Sequence, residues 1–271
     1  MYQITIVTWN VNSIRKRIQD LKELINDYRP DVILLQETKV ADTLFPDIFQ
    51  ICNYYTVFMG QKAYNGVAIL TPHTVGDIQY NNNIDHAIFQ EARYVSCDIT
   101  INDLNINCNS IYVPNGRDIN HQSFSEKMIF LNGITELITH KIQKYNGLVC
   151  VGGDFNIAAT DNDIHDSWTS ELLCSPAERA AFTNIKKTGL KDMYMDCHLH
   201  TPIDANNKST HYTWWDYRAI SYQRKLGARI DYVLATDKFT AQKAAVLTSF
   251  RSRSPCSDHA PVLCTMNIIC Q

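Results

Sequence analysis

Leu148-Val149-Cys150-Val151-Gly152-Gly153-Asp154-Phe155-Asn156 is the stretch from which the architecture can be read. A short apolar strand runs into two glycines and then an acid, so a carboxylate stands where backbone stiffness can hold it. The glycines predict a sharp turn that brings Asp154 close to a ligand. The same pattern recurs along the chain. Asn10 closes the strand Ile4–Trp9, Glu37 closes Val32-Ile33-Leu34-Leu35-Gln36, and Tyr112 sits at the end of Ile106–Val113. Asp231 opens Tyr232-Val233-Leu234-Ala235, and Ser257-Asp258-His259 precedes the strand Val262–Met266. In a mixed or antiparallel sandwich, ends of outgoing strands and starts of returning strands share one rim. Residues from Asn10 to His259 are therefore expected to converge on one cleft, with the acids and imidazole of a metal-assisted hydrolase.

Further β-type runs occupy Tyr54–Met59, Val67–Leu70 and Tyr94–Ile99. Helical spacing appears at Ile14, Ile18, Leu21 and Ile25, in a helix that must end by Pro30. Met128, Leu131, Ile134 and Ile138 mark a longer helix closing before Gly147, and Ser175-Pro176-Ala177-Glu178 reads as an N-cap, first-turn proline and capping-box acid. Many strands with few interspersed helices argue against a Rossmann or barrel fold. Two packed sheets with helices on their outer faces are expected instead. No Pro/Gly/Ser-rich linker or charge block divides the 271 residues, and Asn81-Asn82-Asn83 reads as a loop tip, so residues 1–271 are expected to form one domain.

Composition narrows the classes. Hydrophobic residues make up 45%, which excludes a disordered chain. A formal charge of −3 argues against a nonspecific nucleic-acid coat protein but allows an enzyme with a local basic rim. The nine cysteines are odd in number and form no Cys-x-x-Cys pair, no apolar run approaches membrane-spanning length, and the N-terminus enters a strand without a leader. These features predict a reduced, cytoplasmic setting without a membrane partner. Cys197, His198, His200 and His211 lack the paired spacing of a zinc site.

A phosphodiester repels nucleophiles and has a poor leaving alkoxide, so its hydrolysis calls for a cation, an aligned water and donors around the developing charge. Magnesium takes hard oxygen ligands and keeps waters, a role that Glu37 suits. Asp154 could accept a proton from water while Asn156 holds the water or a phosphate oxygen. His259, charged beside an acid such as Asp231, could donate to a non-bridging oxygen. Each residue taken alone has a plainer reading: a strand-capping glutamate, an Asx turn, a structural histidine.

The words Trp9-Asn10-Val11-Asn12, Leu35-Gln36-Glu37-Thr38-Lys39, Tyr112-Val113-Pro114-Asn115, Gly153-Asp154-Phe155-Asn156, Arg229-Ile230-Asp231-Tyr232 and Ser257-Asp258-His259-Ala260-Pro261-Val262 occur in that order, with flanking strands running from Ile4 to Met266. The ordered set resembles the exonuclease III / apurinic-apyrimidinic endonuclease family of the DNase I-like endonuclease–exonuclease–phosphatase superfamily. The resemblance implies a four-layer α/β sandwich, with two mainly antiparallel sheets flanked by helices. It also implies magnesium (or manganese) as cofactor and duplex DNA with abasic sites or damaged 3′ ends as substrate. A monomer needing no obligate protein partner is expected. Carried over residue by residue, Glu37 becomes the metal ligand, with Asn10 and Asp258 beside it. Asp154 activates water, Asn156 supports it, Tyr112 meets the scissile phosphate, and Asp231 and His259 pair. Asn12, Arg15, Tyr64, Arg93, Asn115 and Trp214 fall at substrate-contact positions, Trp214 as the wall of an abasic pocket.

Three departures stand out. Asn12 replaces an aspartate of mammalian relatives, although bacterial members share the asparagine. Ala228 replaces a tryptophan of the mammalian abasic pocket, which could widen the slot or leave Leu226 to fill it. Ser13 replaces a glycine and is expected to cap a helix. The implied activity is incision 5′ to abasic sites, with 3′–5′ exonuclease and 3′-end cleaning. A lipid phosphodiesterase and a non-catalytic DNA-binding module are the alternatives. The Trp214-Trp215 loop and Lys62–Tyr64 segment argue against the first, and the intact acid set against the second.

Overall fold

The computed structural model describes residues 2–80, 87–168, 170–199 and 209–269. In chain order the strands are β1 (Tyr2–Asn10), β2 (Val32–Gln36), β3 (Tyr55–Met59), β4 (Val67–Thr71), β5 (Thr74–Tyr80), β6 (Tyr94–Ile101), β7 (Leu104–Tyr112), β8 (Val149–Asp154), β9 (Lys191–Asp192), β10 (Asp231–Ala235), β11 (Phe239–Val246) and β12 (Val262–Ile268). The helices are α1 (Ile18–Tyr28), α2 (Ile48–Cys52), α3 (Gln122–Lys144), α4 (Pro176–Lys187) and α5 (Met193–Cys197). One six-stranded sheet has the order β11-β12-β1-β2-β4-β3, the other β5-β6-β7-β8-β10-β9. The pairs β1–β2 and β7–β8 are parallel, and the other neighbours antiparallel.

Period-two alternation sorts the side chains into layers. Ile4 and Ile6 of β1, Val32 and Leu34 of β2, Ile106 and Cys108 of β7, and Val233 and Ala235 of β10 fill the space between the sheets. Their neighbours Val7, Trp9, Ile33 and Leu35 face outward against Leu21, Leu24 and Ile25 of α1. On the other outer face, Val149, Val151, Tyr232 and Leu234 pack under Phe130, Leu131 and Ile134 of α3 and Phe182 of α4. The result is the expected four-layer sandwich. Each fully buried Leu or Ile in these layers contributes about 1.5–3 kcal/mol over its exposed state.

Toward one rim the inward row changes character. Thr8 and Asn10 follow Ile6, Ser110 and Tyr112 follow Cys108, Gly152 and Asp154 follow Cys150, and Asp231 precedes Val233. The functional rim is thus the polar end of the inner rows.

Several expectations need correction. Gly152 and Gly153 lie within β8 rather than in a turn. A methyl at Gly152 would meet Leu34 Cδ1 at 2.5 Å in the facing sheet, and one at Gly153 would meet the Ile111 carbonyl oxygen at 1.9 Å. Close packing, not turning, requires them. Ile14 belongs to a separate 3-10 turn, Ile14–Lys16, because Arg17 leaves helical geometry before α1 begins. Ser13 makes no capping bond and adopts φ 91°, the left-handed region that glycine enters without strain. The capping box at Ser175 and Glu178 is present. Strands β5, β9 and β11 lie outside the apolar runs that the sequence marks as strands, and Asn81-Asn82-Asn83 lies outside the described residues. Among the described residues, no helix is long and apolar enough to cross a membrane.

Candidate active site

Asn10, the last residue of β1, joins the two sheets at the rim. Its amide nitrogen donates to Glu37 Oε1 and to Asp154 Oδ2, each at 2.9 Å. Asn10 Oδ1 accepts the Asn12 backbone N–H at 3.1 Å, which fixes the amide's orientation. Asp154 Oδ1 accepts the backbone N–H of Asn156 at 2.9 Å. Register places Asp231 of β10 and Tyr112 of β7 on either side of Asp154. Asp231 Oδ2 accepts from Thr213 Oγ1 at 2.6 Å and lies 2.9 Å from His259 Nδ1. His259 Nε2 is 3.7 Å from Asp154 Oδ2, so the imidazole spans both acids. Ser257 Oγ donates to the Asn10 carbonyl at 2.7 Å and receives the His259 N–H at 3.2 Å, tying the approach of β12 to β1.

The charges interlock. Burial works against His259's charge, yet Asp231 and Asp154 outweigh it and lift the imidazole to about 10. The two acids thus favour the charged form of the ring. Burial, with the negative neighbours Asp231 and Glu37, pushes the Asp154 carboxyl up to about 7, against the pull of His259 and Asn10. Burial also opposes ionisation of Glu37, but the Lys39 ammonium, 2.5 Å from Oε2, and the Asn10 amide hold its pKa below the ordinary value. The Tyr112 phenol is driven well up by burial and by Glu37 and Asp154, so it remains a donor. Arg93 lies 4.8 Å above the Tyr112 ring.

Glu37 is paired with Lys39, while Asp154 and Asp231 share His259. The buried Asp231 Oδ1 has no hydrogen-bond partner, and Asp154 is pushed up by burial first and then by the neighbouring Asp231 and Glu37 carboxylates. Hard oxygens with excess negative charge suit a divalent cation of the magnesium kind. Asp154, Asp231 and His259 form a cluster with potential ligand atoms within 4.8 Å. An imidazole held in its charged form does not ligate, which leaves the carboxylate oxygens of Glu37 and Asp154, with Asn10 Oδ1 beside them, as the oxygen donors. Among the described residues the earlier zinc candidates are otherwise engaged: His211 Nδ1 meets the Tyr194 hydroxyl at 2.6 Å and His198 Nδ1 the Tyr194 carbonyl at 2.8 Å. His200 lies outside the described residues.

A cleft of ≈ 380 Å³ gathers Glu37, Tyr112, Asn115, Asp154, Asn156, Trp214, Asp258 and His259 on one surface. Asn12 stands at its edge, accepting from Lys39 Nζ at 2.6 Å and donating to Asp258 Oδ1 at 2.9 Å. Asp258 Oδ2 takes Trp214 Nε1–H at 3.2 Å. Arg15 and Tyr64 are exposed and do not line this cleft.

Sequence reasoning missed several contributors. Thr213 fixes Asp231, and Arg117 lines the cleft. Beneath the rim, Lys127 of α3 is fully buried; its Nζ donates to the Asn156 carbonyl at 2.7 Å, to the Asn115 carbonyl at 3.5 Å and to Glu178. A signal for Lys127 existed: it occupies the same helical face as Leu131, Ile134 and Ile138, where a lone charge needs a partner.

The description of the Endonuclease/Exonuclease/phosphatase family matches residues 7–259. Exodeoxyribonuclease III of Haemophilus influenzae is 30% identical across 94% of this chain and 97% of its own. A Neisseria 3′ phosphatase solved with a product DNA hairpin superposes with TM-score 0.86 at 30% identity, covering 98% of this chain and 100% of that one. An AP endonuclease from Archaeoglobus fulgidus gives TM-score 0.80 at 28% identity, covering 98% and 100%. With rim geometry, sheet order and these likenesses in agreement, the chain belongs to the exodeoxyribonuclease III / AP endonuclease branch of that family of phosphodiester hydrolases.

Proposed function

We propose that the protein is a magnesium-dependent DNA-repair nuclease that cuts duplex DNA 5′ to abasic sites and also processes 3′ ends. The observation that carries this reading is Asn10's amide bridging Glu37 and Asp154 while His259 spans Asp154 and Asp231. Asp154 takes the proton of an attacking water that Asn156 helps align. His259, held charged by Asp231, donates to a non-bridging phosphate oxygen as negative charge builds there. The Tyr112 hydroxyl donates to the same phosphate, and Asn115 to a neighbouring oxygen. Glu37, with Asn10 and Asp154, would hold the divalent cation, with Asp258 behind Asn12; the bound ion would polarise the phosphate and offset the leaving alkoxide's charge. Arg15, Tyr64 and Arg93 would follow the DNA backbone, with Asn12 at the cleft edge. Manganese is the alternative ion, since it shares magnesium's oxygen chemistry.

We read residues 1–271 as one catalytic domain acting as a monomer, since helices cover both outer sheet faces. The described cysteines are free, and Cys97, Cys108, Cys150 and Cys264 are buried, which supports a reducing, cytoplasmic setting. Labelled duplexes with an abasic analogue, a recessed 3′ end or a 3′-phosphate, each with magnesium and with chelator, test the reading. Asp154→Ala is expected to abolish cleavage and retain abasic-duplex binding. Full cleavage by that variant would reject the role of Asp154.

A further inference from the structure

Two distant segments supply an aromatic wall to the cleft. Trp168 and Trp214 meet edge to face with ring centroids 5.9 Å apart, and both line the cleft that holds Asp154 and His259. Ala228 explains how they meet. It is fully buried and packs with Ile164, Ile230, Trp168 and Trp214. Its backbone bridges to Ile164 on one side and to Trp214 on the other, so the two tryptophan-bearing segments are anchored to one residue. With only a methyl at position 228, the space beside Trp214 is filled by Trp168, which arrives from another part of the chain; Leu226 does not line the cleft.

The segment carrying Trp168 is held firmly. Trp168 Nε1 donates to the Leu172 carbonyl at 3.1 Å, and His165 N–H donates to the Gly227 carbonyl at 3.1 Å. Leu173 adopts φ 73°, a strained conformation for a leucine. It is kept there because its N–H meets the buried Glu178 Oε1 at 3.2 Å and its carbonyl accepts from Ala158 N–H at 2.6 Å.

We propose that Trp168 is a specificity-determining residue: with Trp214 it forms a two-indole wall against which the deoxyribose of a baseless nucleotide rests. The proposal rests on the abasic-site reading above. A sugar without its base has no pairing to break on leaving the helix, and its C–H faces gain from packing on indole surfaces. In the slot beside the acids, the two rings take up room that a base would need.

Binding in chelator tests the wall without requiring cleavage. The full chain is titrated with a duplex carrying a tetrahydrofuran abasic analogue and with the intact duplex, and the ratio of the two Kd values is compared among variants. Trp168→Ala is expected to shrink that ratio about fivefold to tenfold, and Trp168→Phe, which keeps a ring but loses the bond to Leu172, less than about twofold. Trp168→Leu, which keeps volume without aromaticity, replaces the alanine variant if the latter melts early. A wild-type ratio near unity, an unchanged ratio in the variants, or equal losses on both duplexes would overturn the proposal. Absence of magnesium-dependent incision by wild type, with the binding ratio intact, would instead reject the hydrolytic reading alone.

Discussion

Replacing Asp231 with asparagine removes one charge and almost no volume from the centre of the site. Asp231 Oδ2 lies 2.9 Å from His259 Nδ1, with both side chains buried. At an effective dielectric of about 20, unit charges so placed attract by ~6 kcal/mol. Burial opposes the ring's charge, and the preference that survives, an imidazole raised from 6.5 to about 10, amounts to ~5 kcal/mol. Asp231 is the largest contributor to that preference, with Asp154 and Asp258 adding to it, and removing one partner of a buried pair costs about 3–5 kcal/mol. In Asp231→Asn burial gains on the remaining acids Asp154 and Asp258, and the ring's pKa should fall from about 10 toward neutrality. ¹⁵N spectra of the imidazole across pH in chelator would follow it directly. The cleavage profile should lose its alkaline limb near about 10 and acquire one near neutrality, with kcat at pH 8 down about 10²–10³-fold. Stability gives an independent check. The folded pKa lies above the unfolded one, so the pair's stabilisation is whole below 6.5 and is lost as pH rises through about 10. Wild type should therefore lose Tm across that window while Asp231→Asn stays nearly flat. A wild-type ring titrating near 6.5, or an asparagine variant still charged at pH 9, would refute the reasoning.

Chelation should abolish cleavage and magnesium restore it, while Glu37→Gln should raise the magnesium needed for half-maximal rate by about tenfold or more; an unchanged magnesium curve would remove Glu37 from the ligand set. Lys127→Met strands the Glu178 carboxylate and should cost about 3–5 kcal/mol in a denaturant melt. The double variant Lys127→Met/Glu178→Leu should recover much of that stability but not kcat, because the Asn115 and Asn156 carbonyls remain without their buried donor; full recovery of kcat would make the pair purely structural. Gly153→Ala, whose methyl meets the Ile111 carbonyl at 1.9 Å, should destabilise by ~3 kcal/mol or more. Gly152→Ala meets the end of the Leu34 side chain at 2.5 Å and Thr8 Cβ at 3.3 Å rather than backbone at close range, and should cost about 1–3 kcal/mol; equal losses would contradict the packing described for β8.

The central strands were legible because their alternation is strong and their tips carry acids. β8, β1 and β10 all sit in the inner part of their sheets, where both faces are covered. The strands that escaped notice lie at or near edges, where burial exerts less control over sequence. β11 carries Gln242 and Lys243 at exposed positions and breaks register between Ala241 and Lys243, while β9 has only two residues. Site residues divide in the same way. Asp154 and Asp231 announce themselves at strand ends, but Thr213, Lys127 and Trp168 act through partners far away in sequence, such as Asp231, Asn156 and Trp214. Nothing in their local spacing encodes those partners.

Asn10 shows where residue type was legible and role only in part. The resemblance places it with the metal ligands, and the structure adds that its amide nitrogen gives one hydrogen to each of two carboxylates. An aspartate there would add a third negative charge and supply no donor, forcing Glu37 and Asp154 apart or protonating one of them. The bridge also spans the two sheets, so the spacing set by the apolar inner rows directly fixes the separation of the acids. That coupling accounts for the gradient along the inner rows. Ile4 and Ile6 hold the sheets together, Thr8 and Gly152 let them approach, and Asn10 and Asp154 use the resulting gap. Core packing and catalytic geometry are therefore one structural quantity at this rim, and a substitution that changes sheet spacing should alter chemistry without touching a single functional group.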